Sequence, residues 1–222
     1  MSISSNLYVI AAICGNFFQE STVNPGIWEG LTPNAPGYGL GQWTDNPPQV
    51  MRRTALFNWL DANNYPHDSG DGQLAFLVYE NLWIPSLFQQ SAYNTLGDFF
   101  ATQSQNLADL VREWMWHWEG IDDGTLGVRY DAAAHFLSAF QNDDGTRLPW
   151  FTGNYYLQLA RESTDNALRI MDFFLGSEPP TPPGPDEPTE EEILAVVRMA
   201  LKRRKRGGGV IVFDHSLQTK HL

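Results

Sequence analysis

Gly15-Asn16-Phe17-Phe18-Gln19-Glu20-Ser21 closes an apolar, periodic run on a carboxylate, and Gly37-Tyr38-Gly39-Leu40-Gly41-Gln42-Trp43-Thr44 follows as a glycine-rich, aromatic and polar loop. Leu7, Ile10, Ala11, Cys14 and Phe18 fall on one face at helical spacing, which predicts a helix from about Ser4 or Ser5 to Glu20. On that wheel Glu20 lies roughly 140° from the centre of the apolar stripe and points away from the core face. A carboxyl at a helix end facing a loop of rings and amides suits acid-catalysed cleavage of a sugar chain. That chemistry needs one carboxyl kept protonated near neutral pH and a groove that holds the polymer.

Outward from these stretches the pattern is mostly helical. Asn24-Pro25-Gly26 stops the first helix, and residues 25–48 are dense in Gly and Pro, the composition of a loop or short hairpin. Helical periodicity returns with Met51, Ala55, Leu56, Trp59 and Leu60, then over Asp71 to Trp83, with further helices expected at about 94–103, 105–118, 128–141 and 155–175. The fold class expected is α+β, mostly α, with a small loop or β lobe near residues 28–45.

Residues 1–176 read as the catalytic body. Residues 177–189 form a Pro-rich acidic spacer that suits neither a helix nor a central strand. Residues 190–222 carry an amphipathic helix from Glu190 to Arg206, a triple-glycine break and a possible strand at Val210 to Phe213, too little for a core of their own. Such an arm needs a partner surface.

Composition narrows the function. The body holds 7 Arg and no Lys against 19 Asp and Glu, a net −12, whereas residues 177–222 balance at zero. An acidic body argues against nucleic acid as substrate, since phosphate binding draws on Lys and Arg. All eight Trp lie in the body, which suits sugar stacking as well as core packing. The single Cys14 sits on the buried stripe of the first helix and excludes an intramolecular disulfide. The five His are not clustered with Cys or Asp as a zinc site requires, so neither metal nor cofactor is expected. No stretch approaches a membrane span, and the N-terminus lacks the basic start and small-residue cleavage site of a signal peptide.

The order of blocks resembles the bacteriophage tail lysozyme-like family of peptidoglycan hydrolases. The matching residues are Gly15-Asn16, Glu20-Ser21, Asn24-Pro25, Gly37-Tyr38-Gly39-Leu40 and Gln42-Trp43-Thr44. Arg52 or Arg53, Leu56, Trp59-Leu60, Gln73-Leu74, Phe76-Leu77 and Glu80 follow, and Trp118-Glu119 with Arg129 and Ala132 looks like the closing segment. The resemblance spans about residues 7–141. It implies a lysozyme-like fold with Glu20 as the general acid, and neighbouring Phe17 and Phe18 are expected to exclude water from that carboxyl.

A second carboxylate, Glu29 ahead of Asp45, would activate water on the opposite face of the sugar, unless the substrate's own acetamido group assists. Tyr38, Gln42, Trp43 and Asp45 are expected to line the sugar groove. A core anchor that pins the loop is the competing reading of Trp43. The implied substrate is bacterial peptidoglycan cut between N-acetylmuramic acid and N-acetylglucosamine. A lytic transglycosylase, a host-lysis enzyme and a glycan-binding structural virion protein are the alternatives. The expected location is the virion, with residues 190–222 attaching the enzyme to a phage tail or other virion protein.

Overall fold

A computed structural model describes residues 2–48, 50–84, 88–142 and 154–176, with side chains described through residue 141 and again from residue 162. The expected spacer and C-terminal arm lie outside the described residues.

The first helix, α1 (Leu7–Ser21), runs through the centre of the body. Asn6 caps it, its Oδ1 accepting from the Tyr8 N–H while its Nδ2 donates to the carbonyls of Thr102 and Ser104. The helix was expected to bury one stripe, yet every residue from Val9 to Phe17 is buried. Helices α5 (Leu107–Trp114), α6 (Leu126–Asn142) and α7 (Asn154–Leu175) pack around it, so it lacks a solvent face along its middle. Gly15 permits this closeness. A Cβ there would meet the Arg129 carbonyl and stand 2.6 Å from the Ala133 Cβ.

Thr22 and Val23 end α1 in the left-handed region, at φ 54° and 60°. Their N–H groups return to the Phe18 and Phe17 carbonyls. A left-handed β-branched residue is uncommon, and here it turns the chain sharply after Glu20.

The expected lobe is a short antiparallel sheet in the order β1 (Gly37–Tyr38), β2 (Trp43–Asn46), β3 (Val50–Met51). Gly37 pairs with Thr44 and Tyr38 with Trp43, and Asp45 pairs with Met51. A 3₁₀ turn at Glu29–Leu31 precedes it. Trp28, Tyr38, Phe57 and His67 form a small aromatic core under the lobe, with Tyr38 4.7 Å from Trp28 and 5.0 Å from Phe57 between ring centres.

Helices α2 (Arg52–Ala62), α3 (Gly70–Glu80) and α4 (Leu96–Ala101) follow near the expected places. The helix expected over 105–118 is divided. α5 ends at Trp114 and continues as one π turn, Met115–Glu119. A π turn shifts the side chains that follow it off the α-helical register. Trp114 and Trp118 still stack, 4.8 Å apart, in the core, while the side chain of Glu119 turns towards Arg129.

Helix α7 completes the body. Ala167, Ile170 and Phe174 are buried, and the Phe174 carbonyl accepts from the Ile3 and Ser4 N–H groups, tying α7 to the start of the chain. Ser163 and Asn166 donate to the carbonyls of Thr22 and Val23 and fix the turn after α1 from behind.

Candidate functional site

The two opening stretches meet. Ser21, next to Glu20, donates its hydroxyl to the Leu40 carbonyl at 2.8 Å, and the Leu40 N–H donates to Gln73 Oε1 at 2.9 Å. Gln73 is fully buried and spends its Nε2 on the carbonyls of Pro25 and His67, so one α3 side chain clamps three loops. Gly39, at φ 81°, admits that amide: a Cβ would stand 2.5 Å from Gln73 Oε1. A Cβ at Gly41 would meet the Trp118 ring, so a side chain there would collide. The glycines of this loop thus serve close backbone approach.

Glu20 sits in the last turn of α1 with its side chain 20% exposed. Its Oε1 accepts from Arg129 Nη2 at 2.5 Å. The guanidinium of Arg129 is fully buried and fully engaged: Nη1 donates to Glu119 Oε2 at 2.6 Å and to Asn16 Oδ1 at 3.1 Å, and Nε donates to Thr125 Oγ1 at 2.8 Å. Asp123 lies 3.5 Å from Nη2. Asn16 is held in turn, its Nδ2 donating to the carbonyls of Ala12 and Val111.

One arginine on α6 therefore draws together the end of α1, the π turn and the loop before α6. Burial pushes the Glu119 carboxyl well above the usual carboxylate range, and the neighbouring Glu20 charge adds to this against the opposing pull of Arg129. The same carboxylates hold the Arg129 guanidinium ionised despite its burial.

The other expected site residues fall elsewhere. Glu29 is exposed at the 3₁₀ turn, with Oε2 accepting from the Gly37 N–H at 2.9 Å. Asp45, expected at the groove, is buried. Its carboxylate accepts from Arg53 Nη2, the Thr54 hydroxyl and the Thr54 N–H, and these partners hold it below the usual carboxylate range against the cost of burial. Since α2 has no side-chain cap of its own, Asp45 serves as one, supplied from β2 to an orphan N–H in the first turn.

Trp43, also expected at the groove, is fully buried. Its ring packs edge-on against Trp118 at 5.5 Å, and its Nε1 donates to Glu80 Oε2. The core-anchor reading describes it. Tyr38 is 5% exposed, and burial, aided by the Asp68 charge, pushes its hydroxyl up to about 12. Gln42 donates Nε2 to the carbonyls of Ile27 and Gly39, inside its own loop. These groups were expected to face sugar because aromatic, amide and acidic side chains serve a groove and a hairpin core equally well. The structure spends them on the hairpin.

Phe17 and Phe18, expected to shield Glu20, anchor α1 instead. Phe17 packs on Trp114 and Trp118, and Phe18 on Phe136. Glu80 forms a two-pronged ion pair with Arg52, whose guanidinium lies 4.6 Å above the Trp118 ring. This pair joins α2 and α3 beside the lobe.

Sequence reading gave no role to Glu119 or Arg129 beyond their place in the closing block. Their spacing across a π turn and a loop carries no periodic signal, and only the block order marks them. Cys14 and His135 are buried, as their place on apolar faces implied. Among the described residues no group of three or more His, Cys, Asp or Glu is arranged to hold a metal ion, and no helix is long and apolar enough to cross a membrane.

Morphogenesis protein 1 of Bacillus phage B103 is 38% identical over 73 residues, which cover 32% of this chain and 18% of that protein. The chain thus matches less than a fifth of the length of this curated relative. Residues 4–140 match the family described as phage tail lysozyme, a span that runs from the cap of α1 through Arg129 on α6 and takes in the whole Glu20–Arg129–Glu119 cluster. The helical body, the small hairpin lobe and this match over more than half of the sequence agree, and the chain belongs to the phage tail lysozyme family.

Proposed function

We propose that the protein is a peptidoglycan hydrolase that cleaves the glycan strand between N-acetylmuramic acid and N-acetylglucosamine, with Glu20 as the general acid. The observation that carries this reading is the placement of Glu20. It is a partly exposed carboxyl at the end of the central helix, held by a buried arginine and bordered by the glycine-rich loop. A carboxyl fixed from behind and open in front can protonate a glycosidic oxygen as the bond to the sugar ring breaks.

Glu29 is the second carboxylate of this reading. It is exposed on the lobe and has one oxygen fixed by the Gly37 N–H, so the other is available to take a proton from the attacking water. Arg53 and Thr54 engage the Asp45 carboxylate, which supports Glu29 over Asp45 for that role.

Glu20→Gln in the full chain is expected to keep the fold and lower the initial rate of clearing of purified cell walls by at least about 10²-fold. Near wild-type clearing by the folded variant would contradict the assignment. Glu29→Gln is expected to approach the same loss. A mild effect there, with 1,6-anhydro sugars among the products, would favour a transglycosylase, which needs one carboxyl only.

The name of the phage relative, a morphogenesis protein, supports a place in or on the particle. In this reading the enzyme opens the wall locally, attached to a tail or other virion protein through residues 190–222.

A further inference from the structure

Three carboxylates surround one cation at the base of the candidate site. Arg129 bonds Glu20 and Glu119 directly and lies 3.5 Å from Asp123. With every group ionised the cluster would carry two uncompensated negative charges. The Arg129 side chain is fully buried and that of Glu119 is only 4% exposed. Glu20 and Asp123 keep 20% and 40% exposure, so the costly charge is that of buried Glu119, whose Arg129 is shared with both of them.

A second observation is independent of the charge balance. Glu119 Oε1 is buried and receives no N–H or O–H donor among the described residues, while Glu119 Oε2 and Glu20 Oε1 take the two ends, Nη1 and Nη2, of one guanidinium, which brings the two carboxyls side by side. Two carboxylate oxygens both accept, so their approach is satisfied only by a proton between them.

We propose that Glu119 is the proton-holding partner of Glu20: the two carboxyls share one proton across neutral pH, and Glu119 acts through Glu20 without touching the substrate. This rests on Glu20 being the acid. Two carboxylates on one guanidinium keep a net negative charge when both are ionised, and one proton held between them removes it from the cluster. Glu20, the more exposed member, delivers the proton to the leaving oxygen. The proton lost by the attacking water balances it and returns to the pair through solvent. The groups that face Glu119 are Glu20 from α1 and Arg129 from α6, with Asp123 on the far side of the guanidinium. Glu119 is thus a positioning residue, set in place by the π turn.

The test is the pH profile of wall solubilisation by the full-length chain, from about pH 4 to about pH 9. Glu119→Gln keeps an acceptor for Arg129 but cannot hold the proton. Its alkaline limb is expected to move to lower pH by about one unit or more, and its loss of rate is expected to shrink towards the acid end. Glu119→Asp, which keeps a carboxyl, is expected to restore much of the wild-type limb. An alkaline limb for Glu119→Gln that superimposes on the wild type overturns the proposal.

Should Glu119→Gln not fold, infrared spectroscopy of the wild-type chain decides. A protonated-carboxyl carbonyl band present at neutral pH and absent from Glu20→Gln supports the shared proton, and no such band overturns it. Full activity in folded Glu20→Gln would remove the acid assignment and this inference together. An inactive Glu20→Gln beside an unmoved Glu119→Gln limb would remove the shared proton only.

Discussion

Arg129 is the residue on which the candidate site depends. It has no exposure, and each of its three guanidinium nitrogens has a partner on another part of the chain. Replacing it by Met would leave Glu119 and the Asn16 side chain facing each other without their cation. Breaking a buried pair from one side typically costs about 3–5 kcal/mol. Arg129→Met is therefore expected to lower the melting temperature strongly by calorimetry, and an unchanged melting temperature would show that the cluster adds no stability.

The same charges give stability a pH dependence. Asp45 and Asp123 are held below the usual carboxylate range, so their contribution is present above the ordinary Asp value of 3.8 and is lost as acid is added through their lower folded values. Glu119 has the opposite sign. The folded state favours its protonated form, so its contribution is present below the ordinary Glu value of 4.5 and is lost as pH rises towards its higher folded value. Wild-type melting temperature is expected to fall from weakly acidic towards neutral pH, and Glu119→Gln is expected to flatten that decline. An equal decline in the variant would place the responsible group elsewhere.

In the hairpin lobe Tyr38, Gln42, Trp43 and Asp45, whose side chains suited a groove in sequence, are engaged in packing and hydrogen bonds of the fold, while Glu29 stays exposed. Trp43 pins β2 to the core through Trp118 and Glu80, so Trp43→Ala is expected to cost about 3–5 kcal/mol of stability. Retained stability with lost glycan affinity would return the ring to the groove. Gly15 sets how closely α1 approaches α6. Gly15→Ala is expected to destabilise by about 1–3 kcal/mol through overpacking against Ala133 and the Arg129 backbone, read as a lower midpoint in denaturant.

What was legible follows from these elements. The helices were readable because apolar spacing and Pro, Gly and Asn stops are local signals, and α2, α3, α4, α6 and α7 lie within a few residues of the expected bounds. The position of Glu20 away from the apolar stripe was legible for the same reason. The all-round burial of α1 was only half legible: Val9, Ile13 and Phe17 extend the apolar surface beyond the stripe, but Gly15 and Asn16 carry no apolar signal until α5 and α6 close over them. The π turn at Met115–Glu119 was equally hidden, since Trp114 and Trp118 keep helical spacing through it. Without it Glu119 reads as a surface residue at a helix end.

For the whole molecule, the family match ends at residue 140 while α7, further along the chain, holds Phe174 in the core and ties to Ile3 and Ser4. The described body thus needs more chain than the family segment alone. A chain ending at Asn142 is expected to lose cooperative unfolding, because Phe174 would no longer cover Phe100. A chain ending at Gly176 is expected to fold, to cleave purified walls and to fail to associate with phage particles. The composition of residues 177–189 allows a mainly extended spacer of about 40 Å, at roughly 3.1 Å per residue, which would let a tethered enzyme search the wall. Loss of folding in the chain ending at Gly176 would make the remaining residues part of the fold and end the arm reading.

Protonation of a glycosidic oxygen in peptidoglycan by Glu20 is open to direct measurement by mass spectrometry of the muropeptides that the full chain releases from purified walls. Disaccharide-peptides ending in reducing N-acetylmuramic acid are expected from the wild type and virtually none from folded Glu20→Gln. The same products in undiminished yield from Glu20→Gln, or intact glycan strands after wild-type digestion, would contradict it.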